Sequence, residues 1–168
     1  MRPIRDKTQK PIDEAILERL ALRYVERYAT TAARLHTYLA RKAYGRAAPD
    51  DIAVWADRLS AKMVDLGYVN DAQFAEMRAR SLSRRGYGAR RVKDALRHAG
   101  IGDDDAGAAI TRLEITADET AQHYAQRKKI GPYSQKPPTS ENRKKALAQL
   151  LRAGHDLAIA HAVLASWR

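Results

Sequence analysis

Between Arg78 and His98 the chain carries Arg78, Arg80, Arg84, Arg85, Arg90, Arg91, Lys93 and Arg97 against a single acid, Asp94. A guanidinium group presents its donors in a fixed fork that can grip a phosphate or carboxylate through two oxygens. Within this run stands Gly86-Tyr87-Gly88, a tight turn that presents a tyrosine beside Arg84, Arg85, Arg90 and Arg91. Such a ring can stack on a nucleobase or cover an apolar patch. A second cationic group, Arg127, Lys128, Lys129, Lys136, Arg143, Lys144 and Lys145, is opposed only by Glu141. Any one of these side chains could belong to a solvated helix face. Their density points instead to a surface for anions, with Arg84, Arg85, Tyr87, Arg90, Arg91, Lys93, Arg97, Lys128, Lys129, Lys144 and Lys145 as the candidate contacts.

The whole chain leans the same way. Its 168 residues hold 31 Lys and Arg against 20 Asp and Glu, a formal net charge of +11. Such an excess draws a protein toward nucleic acid, anionic membrane or an acidic protein surface. The sign alternates along the chain, because Asp103, Asp104, Asp105, Glu114, Asp118 and Glu119 lie between the two basic groups with only Arg112 opposing them. Catalytic chemistry finds little to work with. There is no cysteine, the five histidines (His36, His98, His123, His155, His161) lack metal-ligand spacing, and no phosphate loop, nucleophile elbow or dinucleotide turn is present. Asp103 to Asp105 read as cap residues at a helix start rather than a cation site. The expectation is a non-enzymatic protein with no cofactor and no metal. The N-terminus has no apolar run behind its charges, and no stretch nears the roughly 18 apolar residues of a spanning helix. A soluble, cytoplasmic monomer with no membrane partner is expected.

The elements that must position these residues all read as helices. Ile16, Leu20 and Tyr24 form one apolar stripe, and Leu35, Tyr38 and Leu39 a second. Ile52, Trp55, Ala56, Leu59, Met63 and Leu66 form the clearest, opened by Pro49 and closed by Gly67. Asn70 should cap the next helix with Gln73 as its reciprocal partner, Val69 and Phe74 forming a hydrophobic staple. That helix runs to about Arg85, and another spans about Ala89 to Ala99 with Val92, Ala95 and Leu96 inward. A sixth carries Ala106, Ala109, Ile110 and Leu113. Thr116 and Glu119 make a capping box for a seventh, with Ala121, Tyr124 and Ala125. A long loop at Gly131 to Pro138 precedes two final helices, marked by Leu147, Leu150 and Leu151 and by Ala160, Val163, Leu164 and Trp167. Trp55, Trp167, Tyr24 and Tyr124 are assigned to the core.

Nine helices invite a search for repeats. Laying Gly100 over Gly154 superposes Leu96 on Leu150 and Ile110 on Leu164; laying Tyr44 over Ile101 superposes Leu39 on Leu96 and Leu35 on Val92. The expected architecture is all-α, with three tandem three-helix, helix-turn-helix-like repeats at 13–67, 68–113 and 114–168. Stacked units of this kind would make an elongated, curved body. Residues 1–12, with Arg2, Arg5, Lys7 and Lys10 among prolines, read as a disordered basic arm.

The central block carries a resemblance. Gly67-Tyr68-Val69-Asn70-Asp71-Ala72-Gln73-Phe74-Ala75, then Arg84-Arg85-Gly86-Tyr87-Gly88-Ala89-Arg90-Arg91-Val92, then Leu96-Arg97-His98-Ala99-Gly100-Ile101, resembles the core pattern of the RecX family. Tyr38-Leu39-Ala40-Arg41-Lys42 is similar to that family's first unit and Leu150-Leu151-Arg152-Ala153-Gly154 to its third. The likeness covers almost the whole chain beyond residue 12. It departs at Asn70-Asp71, where the family usually has paired aspartates, and at Arg152-Ala153-Gly154-His155, where it has Arg-Arg-Gly-Phe. Loss of that last aromatic bears on the packing or contact role of the third unit. The resemblance implies a regulator that binds the RecA–DNA filament along its groove and mainly inhibits its strand-exchange and ATPase activities. It also implies weak, sequence-nonspecific contact with DNA phosphates. The alternative from another class is a direct DNA-binding helix-turn-helix protein, regulatory or architectural.

Overall fold

The computed structural model describes residues 10–168. Among them nine α-helices and one short 3-10 turn form, and no strand. The basic arm expected over 1–12 lies outside the described residues as far as position 9. Its last residue, Ile12, is buried, and the Ile12 amide donates to the Arg46 carbonyl at 3.2 Å. Two compact units can be distinguished: one from the start of the described residues to Phe74 with Ala99–Ile101, the other Ala75–His98 with Gly102–Arg168.

The first unit is built from α1 (Glu14–Arg27), α2 (Ala32–Ala43) and α3 (Pro49–Asp65). Each starts where the chain supplies a reason. The Asp13 carboxylate accepts from the Ile16 amide at 2.7 Å, the Thr31 hydroxyl from the Arg34 amide at 3.2 Å, and Pro49 enters the first turn of α3 where its missing N–H costs nothing. The three helices enclose Leu17, Ala21, Leu35, Leu39, Ala43, Ala56, Leu59 and Met63. Each of the larger aliphatic side chains contributes about 1.5–3 kcal/mol on burial. The small alanines let the backbones come close. The stripe Ile16, Leu20 and Tyr24 lies at the margin of this core, which centres instead on Leu17 and Ala21. Trp55 and Tyr24 are only half-buried, and Leu66, expected inward, stands 57% exposed at the end of α3. It sits one position past the last helical residue, where the apolar stripe has already turned out of the core.

The helix α4 (Asp71–Arg84) opens with the Asn70 half of the expected box, the Gln73 amide donating to Asn70 Oδ1 at 2.9 Å, and with Val69 and Phe74 both buried. Asp71 has a second task. Its Oδ1 accepts from the Ala32 amide at 2.9 Å, placing a carboxylate on the positive end of α2.

The second unit continues with α5 (Ala89–Arg97), α6 (Asp103–Thr111), α7 (Ala117–Lys128), α8 (Ser140–Arg152) and α9 (Leu157–Ala165). The helix α5 stops at Arg97, two residues short of the expected Ala99. Asp103 to Asp105 are not caps but the first turn of α6 itself. Gly102 occupies the cap position without a side-chain bond, so the three charges favour the helix start through its dipole rather than by capping it. The capping box of α7 is complete: the Thr116 hydroxyl accepts from the Glu119 amide, and Glu119 Oε2 accepts from the Thr116 amide at 2.8 Å. Within the long loop, Gly131–Tyr133 tighten into the 3-10 turn. Ala121, Tyr124, Ala125, Ala146, Leu150, Ala153, Ala160, Val163, Leu164 and Trp167 make one core beneath α7, α8 and α9. The positions paired by the repeat offsets, Leu39, Leu96 and Leu150, are each fully buried.

Candidate anion-binding surface

The turn Gly86-Tyr87-Gly88 is held by backbone. Just past the end of α8 the carbonyls of Ala153 and Gly154 point away from their own helix, while that of Leu151 already accepts from the Gly154 amide at 3.0 Å. The start of α5 supplies donors for them. The Gly88 amide donates to the Ala153 carbonyl at 2.9 Å, the Arg90 amide to Gly154 at 3.3 Å, and Arg90 Nη2 to Leu151 at 2.9 Å. Unpaired amides at one helix start thus meet unpaired carbonyls at another helix end, with dipoles of opposite sign in contact. The approach tolerates no side chain. A Cβ on Gly88 would stand 2.3 Å from the Gly154 carbonyl oxygen, and one on Gly154 2.3 Å from the Arg91 amide nitrogen.

Tyr87 is half-buried rather than fully displayed. The Arg85 guanidinium lies 5.6 Å and the Arg127 guanidinium 5.7 Å from its ring centroid, both within cation–π range. Its ring is 6.0 Å from that of buried Tyr124, which meets His155 edge-on at 5.9 Å. His155 is 3% exposed, and its Nε2 proton is donated to the Gly86 carbonyl at 3.0 Å. The imidazole therefore takes the place of the missing aromatic: it packs as a flat ring and also ties the turn after α4 to the turn after α8. Burial pushes its pKa down, against the opposing pull of the Gly86 bond and of Asp156.

The other candidates fall into groups. Arg84, Arg85, Arg91, Lys128, Lys129 and Lys144 are exposed, and none has a carboxylate within 4.0 Å among the described residues. Arg90 is exposed too, with its Nη2 donating to the Leu151 carbonyl. Lys93 and Arg97 both reach Asp103 at 3.3 Å, and together they hold that carboxyl below its ordinary pKa. Lys145 pairs with Glu141 at 2.5 Å. Arg127, part of the second basic group in sequence but not singled out there, belongs with Tyr87. The first turn of α5 carries Arg90 and Arg91 and no acid, so cations sit where the helix dipole is already positive. Among the described residues no group of three or more His, Asp or Glu could hold a metal ion, and no helix is long and apolar enough to cross a membrane.

Comparison with known proteins places the chain. The profile described as the second three-helix domain of RecX matches residues 70–110. Regulatory protein RecX of Myxococcus xanthus (strain DK1622) is 33% identical over 169 residues, covering 95% of this chain and 90% of that protein. Regulatory protein RecX of Cronobacter sakazakii (strain ATCC BAA-894) is 30% identical over 110 residues, covering 66% and 62%. The crystal structure of RecX from Lactobacillus salivarius superposes with a TM-score of 0.68 at 20% identity, covering 92% of this chain and 96% of that one. A second structure, of regulatory protein RecX, gives 0.69 at 17% identity, covering 89% and 70%.

Two outcomes follow from the turn. Gly88→Ala should destabilise the protein by about 1–3 kcal/mol, because backbone must move to admit the methyl group. Gly107→Ala, inside α6 with a Cβ that meets nothing within 4 Å, should hold or slightly raise the thermal midpoint. Calorimetry of both variants checks the contrast, and equal midpoints would refute the close approach. A histidine whose folded pKa is depressed binds its proton better when unfolded, so its contribution to stability is complete above the unfolded value near 6.5 and shrinks as pH falls below it. Denaturant melts between pH 8 and pH 5 should show that loss, and His155→Phe should remove it. The arginine-ringed turn, the superposition on RecX folds and the 33% identity across nearly the full length together make this chain a member of the RecX family.

Proposed function

We propose that this protein docks on the RecA–DNA filament and restrains its ATPase and strand-exchange activities without chemistry of its own. Family membership supplies the partner. The observation that carries the surface is the set Arg84, Arg85 and Arg91 with Arg127, gathered about the α4–α5 turn with no carboxylate within 4.0 Å among the described residues. Guanidinium groups without a carboxylate partner suit the phosphates of a filament or acidic patches on its subunits. Lys128, Lys129 and Lys144 would add sequence-blind phosphate contacts. Lys93, Arg97 and Lys145 would have to exchange their present carboxylate partners to take part. Such exposed pairs are worth at most about 1 kcal/mol each, so the exchange is inexpensive.

In this reading the chain is a cytoplasmic monomer of three tandem modules, 13–67, 68–113 and 114–168. The RecX profile over 70–110 and the shared burial of Leu39, Leu96 and Leu150 support that division. A ligand of this kind alters a filament only by preferring one of its states, so inhibition requires tighter binding to the state that hydrolyses ATP slowly or dissociates.

The test is DNA-dependent ATP hydrolysis by RecA at rising concentrations of this protein. Wild type should lower the rate, and the triple variant Arg84→Glu, Arg85→Glu, Arg91→Glu should need at least tenfold more protein for the same effect. A rate unaltered at saturating wild-type concentration would sink the proposal. Tight binding to one selected duplex sequence without RecA would replace it with the direct DNA-binding alternative.

A further inference from the structure

A second cationic surface lies wholly within the first unit, and it uses none of the residues assigned to filament docking. Between α1 and α2 an open cavity of about 470 Å³ is lined by Leu20 together with Arg23, Tyr24, Arg27, Tyr28, Tyr38 and Arg41. That volume is within the range of ordinary small-ligand sites. Three tyrosines and three arginines line it, and no acid does. Among the described residues Arg23, Arg27 and Arg41 have no carboxylate within 4.0 Å. The acids earlier on α1 are engaged elsewhere, Glu14 with Arg58 and Glu18 with Lys62. Glu26 is exposed and outside the lining.

The aromatic part is organised. Tyr24 and Tyr38 stack with centroids 4.2 Å apart and planes 22° apart, which makes one rigid platform from two helices. Tyr28 leans on Tyr24 at 5.2 Å and is 49% exposed, so much of its ring remains open to a ligand. Cations already sample these rings. The Arg27 guanidinium stands 5.6 Å from the Tyr28 centroid, and the Lys42 ammonium 5.6 Å from that of Tyr38. Arg23 and Arg27 are one helical turn apart, so their forks can reach neighbouring anionic groups.

We propose that this cavity binds single-stranded nucleic acid, stacking a nucleobase on Tyr28 beside the Tyr24–Tyr38 pair and holding adjacent phosphates with Arg23, Arg27 and Arg41. The tyrosines decide against a purely electrostatic contact, because phosphate alone needs no flat apolar platform. The open shape and the spread of arginines over two helices favour a strand that passes through over a free nucleotide. In duplex the bases are already stacked and the platform has nothing to receive, so the site selects unpaired strands.

The test uses the full chain without RecA, so its result is independent of filament docking. Fluorescence anisotropy would compare a labelled oligothymidylate with an abasic oligomer of equal length. Wild type should bind the base-bearing strand more tightly. Tyr28→Ala should cost about 5- to 100-fold on that strand and almost nothing on the abasic one. Tyr28→Phe should restore the preference. The triple variant Arg23→Gln, Arg27→Gln, Arg41→Gln should weaken binding to both and lower the slope of log affinity against log salt by about 2. Unchanged melting curves would show that each variant folds. Equal losses on the two oligomers with Tyr28→Ala, or no loss on either, would overturn the proposal. Displacement of the strand by an equimolar free nucleotide, or by a poly-glutamate peptide, would assign the cavity to that ligand instead.

Discussion

The backbone contact between the start of α5 and the end of α8 is the constraint on which the second unit turns. Helix ends leave amides and carbonyls without partners, and burying them unpaired costs about 1–3 kcal/mol each. Here the amides of Gly88 and Arg90 and the Arg90 side chain meet the carbonyls of Ala153, Gly154 and Leu151. Both deficits are cancelled at once, and only glycine at 88 and 154 lets the backbones come that near. His155 then bonds the Gly86 carbonyl from beneath, which fixes the turn at its other end.

This arrangement sets the charge distribution. Because the α5 start faces the α8 end, one Arg90 nitrogen is tied to a carbonyl, while Arg91 on the same turn and Arg84 and Arg85 before the turn stay exposed. Asp103 neutralises the far end of α5 through Lys93 and Arg97. The positive field is therefore concentrated at the turn, where Tyr87 and Arg127 join it, rather than spread along α5. Contact with an anionic partner would use this end, and the acidic start of α6 disfavours approach at the other.

The helices were legible from the sequence because periodicity and capping agree. Asn70 and Thr116 cap the helices they precede as read, and Leu35, Leu59, Leu96 and Leu150 lie fully or almost fully buried as their stripes require, while the caps at Asp13, Thr31 and Thr139 emerge only in the structure. Less visible was which cations stay available. Charge counting ranks Lys93 and Arg97 with Arg91, and only the fold brings Asp103 across to two of them. The part played by His155 was hidden for a related reason. Read against a pattern that has Phe at that position, it looked like a lost ring, yet imidazole is itself a flat ring with a proton to give. Tyr24 is met only in part: it packs against the core as its spacing indicates, but α1 centres its buried face on Leu17 and Ala21 and leaves the tyrosine half-buried beside a cationic rim.

The proposed role stands on the arginines that this fold leaves unpaired. Co-sedimentation with RecA filaments assembled on single-stranded DNA tests it most directly. Wild-type protein should pellet with the filament and be released by raised salt. A protein with charge reversed at Arg84, Arg85 and Arg91, folded as judged by its melting curve, should stay in the supernatant. If that variant pelleted as wild type does, with the same salt sensitivity, the arginine turn would not be the docking surface.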